Sequence, residues 1–461
     1  MKLLPQNGTL HQILASIAAA LAGFNSGMWR VWPSLAIPHL KSASSPFQAS
    51  DTELSLIASL SYFSYFLSPF LCRYLIRFGR KFCVVVSLLL FGATWSAALV
   101  ASNPYVLYGA SIAAGFGNGL SSIIVPIYIS EIASPSIRGA LVTGYSLTFT
   151  SGQIFTAAAG IELRYHSLNL AGLAFSVFSF VLATVFVRET PQHHLIVGDD
   201  AAAKETHRYF HSNASSSLEA KDSADQDLEE MKKKILAEMS SQSSFSELFQ
   251  TRGSRRAVLI ICLVSCFQML AGISSIVSFS SITLPPTHSY LTVDLTVLLC
   301  LVLGVTSNSI GSYLIDLVGR RILLAVSSFL GSVITLALAV FYFLYDKDTF
   351  HGDVVYLPYA LTMAYFFVFY LGMGIVRPVF IGELFPTNVK VHASMISILC
   401  ISAASFLVNF IYLQVSNFVG VYAMFLIFTL SNICNFVSAL YIVVETKGKT
   451  LFEIQEYFKG F

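Results

Sequence analysis

"LIRFGRK" at residues 75–81 and "LIDLVGRR" at residues 314–321 each set a glycine and two basic residues between long apolar stretches, 240 positions apart. Two further pairs follow in the same order. "SEIASPSIRG" (130–139) and "GELFPTNVKV" (382–391) each place a glutamate seven residues before a base: Glu131 with Arg138, and Glu383 with Lys390. "RETP" (188–191) and "VETKG" (444–448) put Glu-Thr after the sixth apolar segment of each half. Matched offsets of 240, 252 and 256 residues predict an internal repeat of two six-helix halves. Two packed halves around a central cavity are one architecture that permits rocking of one half against the other.

Composition sets the environment. Of 461 residues, 55% are hydrophobic and 11% are charged. A soluble chain carries about a quarter charged residues, so this one cannot cover its own surface with water-compatible side chains. Twelve of its 25 acidic residues crowd into residues 188–255. Elsewhere the chain runs about 20 residues at a time with almost none, the length that crosses a bilayer as helix. In lipid each segment satisfies its own backbone hydrogen bonds, so helices are the default.

Apolar segments fall at about 11–29, 54–75, 82–101, 104–128, 140–161 and 168–187, then 257–280, 292–315, 322–345, 356–381, 391–415 and 419–443. The expected fold is an all-α membrane protein with twelve transmembrane helices in two pseudo-symmetric six-helix bundles. Residues 1–187 form the first bundle, 188–255 a cytoplasmic linker with short amphipathic helices, 256–443 the second bundle and 444–461 a cytoplasmic tail. Within the linker, "QDLEEMKKKILAEM" (226–239) has the pattern of an amphipathic helix.

Basic residues set the orientation. Nine lie in the short loops that carry the Gly-Arg motifs and their neighbours, against Arg30, Lys41, Arg164 and Lys347 opposite. That bias predicts both termini in the cytoplasm. Asn7 and Asn213, each in an Asn-x-Ser/Thr triplet, then escape glycosylation. The seven cysteines lie in or beside apolar runs without metal-ligand spacing and read as small hydrophobes. No nucleophile–base pair emerges, which argues against an enzyme. The absence of a phosphate-binding glycine loop argues against an ATP-driven pump. No cofactor, nucleic acid or obligate protein partner is expected; the partners are the lipid bilayer and a sugar or small polar solute.

The paired charges suit a gate. Glu131 is placed to meet Arg80 and Arg138, and Glu383 to meet Arg320 and Lys390, with Asp316 and Arg321 beside them. Partly desolvated clusters of this kind are geometrically selective. They are expected to fasten the inner helix ends when the cavity faces outward and to part when it faces inward. Plain topogenic anchoring is the competing reading.

The motifs resemble the sugar porter family of the major facilitator superfamily, the branch that holds facilitated trehalose and glucose carriers. The resemblance covers nearly the whole chain: GR-[RK] at 79–81 and 319–321, "PIYISEIASPSIRG" at 126–139, "GELFP" at 382–386 and "ETKGKTLFEI" at 445–454. It implies the major facilitator fold, a central hexose- or disaccharide-sized site and alternating access.

The departures lie in the sugar contacts. Of the family's Gln-Gln-x-x-Gly-x-Asn on helix 7, Gln268 and Gly272 remain, while Met269 and Ser274 replace the other polar positions. Ser146 stands for a helix 5 glutamine, and Ile401-Ser402 for the Asn-Trp pair of helix 11. "IVRP" (375–378) stands for Pro-x-Pro-Trp, which introduces Arg377. A charge within a span is expensive unless it snorkels or faces a wet cavity. For Arg377 a rim salt bridge, a cavity role favouring an unusual or anionic solute, and other packing all stay open. Ile76 replaces an acid in the first loop, Lys390 an arginine, and Val444 a proline. Asn25 takes the place of the aspartate of proton-coupled relatives, and an amide cannot carry a proton near neutral pH.

Candidate substrate-binding residues are Gln268, Ser274, Ser278, Gln153, Asn308 and Asn25. Ser274 and Ser278 share a helix face. Gln153 and Asn308 serve either the cavity or interhelical hydrogen bonds. The run "YFFVFY" (365–370) reads mainly as lipid-facing packing, with one ring available for a sugar. The expected function is facilitative uniport of a sugar such as trehalose or a hexose across the plasma membrane. A solute-binding sensor without transport and a carrier of a non-sugar organic solute are the alternatives.

Overall fold

The computed structural model describes residues 8–43, 45, 47–211, 228–233, 245–286, 291–347, 355–385, 389–449 and 453. Ten of its helices are long and apolar enough to cross a membrane. They include α2 (Asp51–Leu75), α3 (Arg80–Val100), α4 (Pro104–Ile132) and α6 (Tyr165–Phe186) of the first half. In the second half they are α7 (Arg252–Ser278), α8 (Val293–Val318), α9 (Arg320–Tyr345), α10 (Leu357–Leu384), α11 (Lys390–Phe418) and α12 (Val421–Tyr441). The helices α1 (Gly8–Lys41) and α5 (Pro135–Glu162) are 34 and 28 residues long and bring the count to twelve. Side chains such as Phe70, Leu89, Phe178 and Leu430 stand exposed around the outside, as a surface that faces hydrocarbon requires.

The first helix runs twelve residues beyond the predicted end at residue 29, straight through Pro33 and Pro38. Proline removes a backbone donor, yet neighbouring helices make that tolerable inside a membrane bundle. Here tryptophan packing holds the continuation. Trp29 stacks on Trp32 at 4.4 Å and meets Trp95 of α3 edge-on at 5.5 Å, and Trp32 Nε1 donates to Asn169 of α6 at 2.7 Å. Arg30 therefore lies inside a helix, not in an outer loop.

Two helices of the second half are broken. In α7 the chain turns at Gly272, where φ is +89° and an added Cβ would sit 2.5 Å from the Phe428 ring. In α10 the break is at Gly372, packed against Ser327 and the Leu323 carbonyl. The Tyr365 hydroxyl of α10 donates to the Ala271 carbonyl at the α7 break, at 2.6 Å. Tyr365, Phe366 and Phe369 are all buried. The 365–370 run therefore packs inward, because it braces α7, and the lipid-facing expectation is corrected.

The halves meet along α2 with α11 and along α5 with α8. Hydrogen bonds cross between them at Ser34–Ser280 (2.8 Å), Ser55–Gln414 (3.3 Å) and Asn417–Asp51 (2.7 Å). Each lies toward the end of the bundle opposite the Gly-Arg loops, termed outer below, so the outer mouth is closed.

The described linker docks on the first half. Helix Pro191–Val197 packs against α4 and against helix Asp200–His211, which reaches the inner end of α1. There Gln12 Nε2 donates to the Phe210 carbonyl at 2.7 Å, and the His11 ring stacks on Tyr209 at 4.1 Å. Of the 226–239 stretch, residues 228–233 are described and helical, with Lys232 paired to Asp200 at 2.5 Å. Asn7 and Asn213 lie outside the described residues.

Candidate functional site

Both Gly-Arg loops are held by the same device. Gly79 and Gly319 adopt φ of +114° and +104°, a region L side chains rarely enter. An added Cβ would fall 2.2 Å from a carboxylate oxygen of Glu189, or 2.6 Å from one of Glu445. Those carboxylates occupy the space in order to cap the next helix. Glu189 accepts from the backbone N–H of Arg80 (2.8 Å) and Lys81 (3.1 Å), and Glu445 accepts from Arg320 and Arg321, both at 3.0 Å. A carboxylate on the first free N–H groups of a helix meets orphan donors and the positive end of the helix dipole together. The glycine is therefore required by the glutamate that follows six helices into each half.

The paired bases complete each clamp. Arg80 Nη2 lies 3.1 Å from Glu131 Oε1, with side chains only 10% and 6% exposed. Arg320 Nη2 lies 2.8 Å from both Glu383 and Asp316. Burial of the Arg80–Glu131 pair makes loss of one partner expensive, about 3–5 kcal/mol for a fully buried pair, whereas Glu383 and Asp316 are 29% and 72% exposed. The halves differ where Ile76 stands in place of the acid. There Arg80 Nη1 instead faces His193 Nδ1 at 3.2 Å. Arginine only donates, so this ring nitrogen accepts and is unprotonated. Burial lowers the His193 pKa below 6.5, with Arg80 and His194 adding to the effect and Glu189 opposing it.

Two expected partners are not joined. Arg138 turns back to the Ala133 carbonyl at 3.2 Å rather than to Glu131, because it sits in the first turn of α5 over the end of α4. Lys390 makes no ion pair among the described residues, and Glu383 takes the Thr446 hydroxyl instead, at 2.5 Å. Arg321 binds the Ala439 carbonyl at 3.0 Å and the Leu440 carbonyl, which ties α9 to the end of α12. Both clamps lie within a half, and both are formed while the outer mouth is closed, so the expectation that they part in this arrangement is corrected: neither pair spans the two halves.

Between the clamps and the outer contacts lies a cavity lined by Ser26, Arg30, Tyr62, Asn118, Phe149 and Ser278. Ser26 donates to Asn118 at 2.6 Å, and the Arg30 guanidinium lies 4.9 Å from the Tyr62 ring centre. The Tyr62 hydroxyl faces Ser274 and Ser278 across the junction of the halves. Ser274 accepts from Asn409 of α11 at 3.1 Å. Gln268 is buried on the same helix, and its Oε1 has no partner among the described residues.

The remaining candidates are dispersed. Asn25 is fully buried against α6, donating to Ser179 at 3.1 Å and to the Leu21 carbonyl at 3.0 Å. It is a packing residue of the first half and does not line the cavity. Asn308 is exposed on α8 and joins none of the others, while Gln153 is buried on α5 with no side-chain hydrogen bond among the described residues. Arg377 does not reach the rim. Its Nη1 donates to Ser397 of α11 at 3.3 Å, it faces Tyr65 of α2, and its buried Nε has no partner. Sequence reasoning missed Arg30, Tyr62, Asn118 and Asn409. Asn118 and Asn409 are visible as amide residues inside apolar runs, a functional signal in lipid.

A family model described as sugar (and other) transporter matches residues 12–458. The chain is 24% identical over 456 residues to the facilitated trehalose transporter Tret1 of Apis mellifera ligustica, covering 97% of this chain and 88% of that protein. It is 30% identical over 382 residues to the sugar transporter ERD6-like 7 of Arabidopsis thaliana, covering 82% and 79%. The inward open conformation of the xylose transporter XylE from E. coli superposes with a TM-score of 0.77 at 18% identity, covering 96% of this chain and 98% of that one.

Proposed function

The chain belongs to the sugar (and other) transporter family, and from that premise we propose that it carries a sugar such as trehalose or a hexose by uncoupled alternating access. We place both termini in the cytoplasm, as the basic inner loops favour, and the chain in the plasma membrane, as the family resemblance implies. One observation carries the reading: a small cavity of about 30 Å³ that receives Arg30, Asn118 and Tyr62 from one half and Ser278 from the other, beneath an outer mouth closed by contacts between the halves. A site shared across such a junction changes its exposure when the halves rock.

Gln268 supplies an open acceptor for a solute hydroxyl, and Ser274, oriented by Asn409, supplies another. Each clamp keeps the inner rim of its half in one piece, so the rim closes against the opposite half as a block. Uncoupled movement fits the placement of acid groups. Every aspartate and glutamate of the twelve spans lies within three residues of a helix end, which leaves no carboxylate midway to carry a proton.

Proteoliposome uptake of labelled trehalose, glucose, fructose and inositol tests the proposal. Saturable entry of at least one sugar, competed by the unlabelled compound, is the expected result. Specific binding without flux indicates a sensor and contradicts it.

A further inference from the structure

Arg30 and Arg377 are the two charges set deep in the spans. Arg30 stands eleven residues, about 16 Å of helix, from the outer end of α1, and Arg377 seven residues, about 10 Å, from the inner end of α10. Neither forms an ion pair among the described residues. Both converge on α2, where Arg30 lies over Tyr62, and Tyr65, one turn further, faces Arg377. Tyr370, two turns before Arg377 on α10, faces Arg30 as well. The guanidiniums therefore look onto one interior surface at two successive depths, with tyrosine rings between them.

A guanidinium away from water is costly unless something negative or strongly accepting meets it. Ring faces and the Ser397 hydroxyl meet part of that need, but the Arg377 Nε remains open. The protein supplies no carboxylate at this depth, because its span acids all sit at helix ends. The counter-charge has to come from the solute.

We propose that the preferred cargo is a sugar or polyol bearing one anionic group, a carboxylate or a phosphate, which Arg30 receives near the outer contacts and Arg377 receives toward the inner mouth. This rests on the sugar-carrier reading and narrows its substrate class. Bidentate pairing suits either anion, since the planar guanidinium presents parallel N–H donors. The hydroxyl groups of the same solute meet Gln268, Ser274 and Ser278. Uncoupled passage of such a solute moves net charge.

The test compares labelled glucuronate, gluconate and glucose 6-phosphate with glucose and trehalose in proteoliposomes under an imposed potassium diffusion potential. At least one anionic sugar is expected to enter about tenfold faster than glucose at equal concentration. Its entry rises when the interior is positive, while neutral sugar entry does not change. The carboxylate and phosphate arms identify the anion. Arg377→Gln and Arg30→Gln each lower the ratio of anionic to neutral uptake, and Arg377→Lys, which keeps the charge without the paired donors, restores only part of it. Competition of glucuronate or glucose 6-phosphate against glucose uptake in the unmutated protein gives a readout that does not depend on the variants folding. Saturable glucose or trehalose flux that no anionic sugar competes with or follows overturns this inference and leaves the sugar carrier standing. Absence of flux for every sugar overturns both.

Discussion

The Tyr365 hydroxyl donates to the Ala271 carbonyl at 2.6 Å and so braces the break of one interior helix with the ring of another. The break at Ala271–Gly272 opens the backbone of α7 between Gln268 and Ser274, both candidate solute contacts. Tyr365→Phe keeps the ring and removes only the donor. The buried carbonyl then loses its partner, which costs about 1–3 kcal/mol. A lower unfolding temperature of the detergent-solubilised protein and weaker sugar affinity are expected together. An unchanged protein in both respects refutes the bracing role.

Glu189 and Glu445 cap equivalent helices, so their loss has parallel effects. Replacing either with alanine strips two backbone N–H groups of their acceptor, at about 1–2 kcal/mol by analogy with other helix caps. Glutamine retains one acceptor oxygen and loses less. Hydrogen exchange at the amides of residues 80–81 and 320–321 reads the change locally. Faster exchange at the matching pair alone is the predicted pattern, and equal protection in the variants contradicts it.

Gly79→Ala and Gly319→Ala force a Cβ into a carboxylate and into a backbone region with positive φ. Gly382→Ala is the control, because nothing lies within 4 Å of the added atom. The first two changes are expected to lower folded yield and flux severalfold, and the third to leave folded yield near that of the parent. Similar losses for all three mean that the loop geometry is not the cause.

Acid weakens the first clamp more than the second. His193 accepts from Arg80 in its neutral form, and its pKa is lowered from 6.5 chiefly by burial. The unfolded chain then binds the proton more readily than the folded one. The contribution of this histidine to stability is complete above pH 6.5 and is lost as pH falls through the lowered value. Thermal unfolding of the purified carrier from pH 7 downward reads the loss, and His193→Gln flattens the profile in that window. A profile identical in the variant excludes the histidine.

Much of this architecture is legible in the chain. The spacing of Gly79–Arg80 and Gly319–Arg320, together with the glutamates at 131 and 383, gives the repeat, the helix count and the inner ion pairs. The caps are half-legible: Glu189 and Glu445 stand out as a repeated pair, but their grip on a helix start more than a hundred residues away is set by how six helices close. Local context also misleads. Arg30 among tryptophans and before Pro33 has the look of a helix exit, and only packing against Trp95 and Asn169 keeps the helix going. Asn25 stands where proton-coupled relatives carry an aspartate, yet its rotation on α1 turns it to Ser179. The α11 amide that reaches Ser274 is Asn409, two turns beyond the position a family alignment suggests, because helical rotation decides which residue faces the site.

Counterflow distinguishes a site open to one side at a time from a continuous pore. Proteoliposomes loaded with unlabelled sugar are diluted into a trace of the labelled form, with a protonophore present and no ion gradient. The account predicts a transient accumulation of label above its outside concentration, since a site open to one side at a time exchanges inside sugar for outside sugar. Equilibration without overshoot indicates a continuous pore, and an overshoot that the protonophore abolishes indicates proton coupling; either result contradicts uncoupled alternating access.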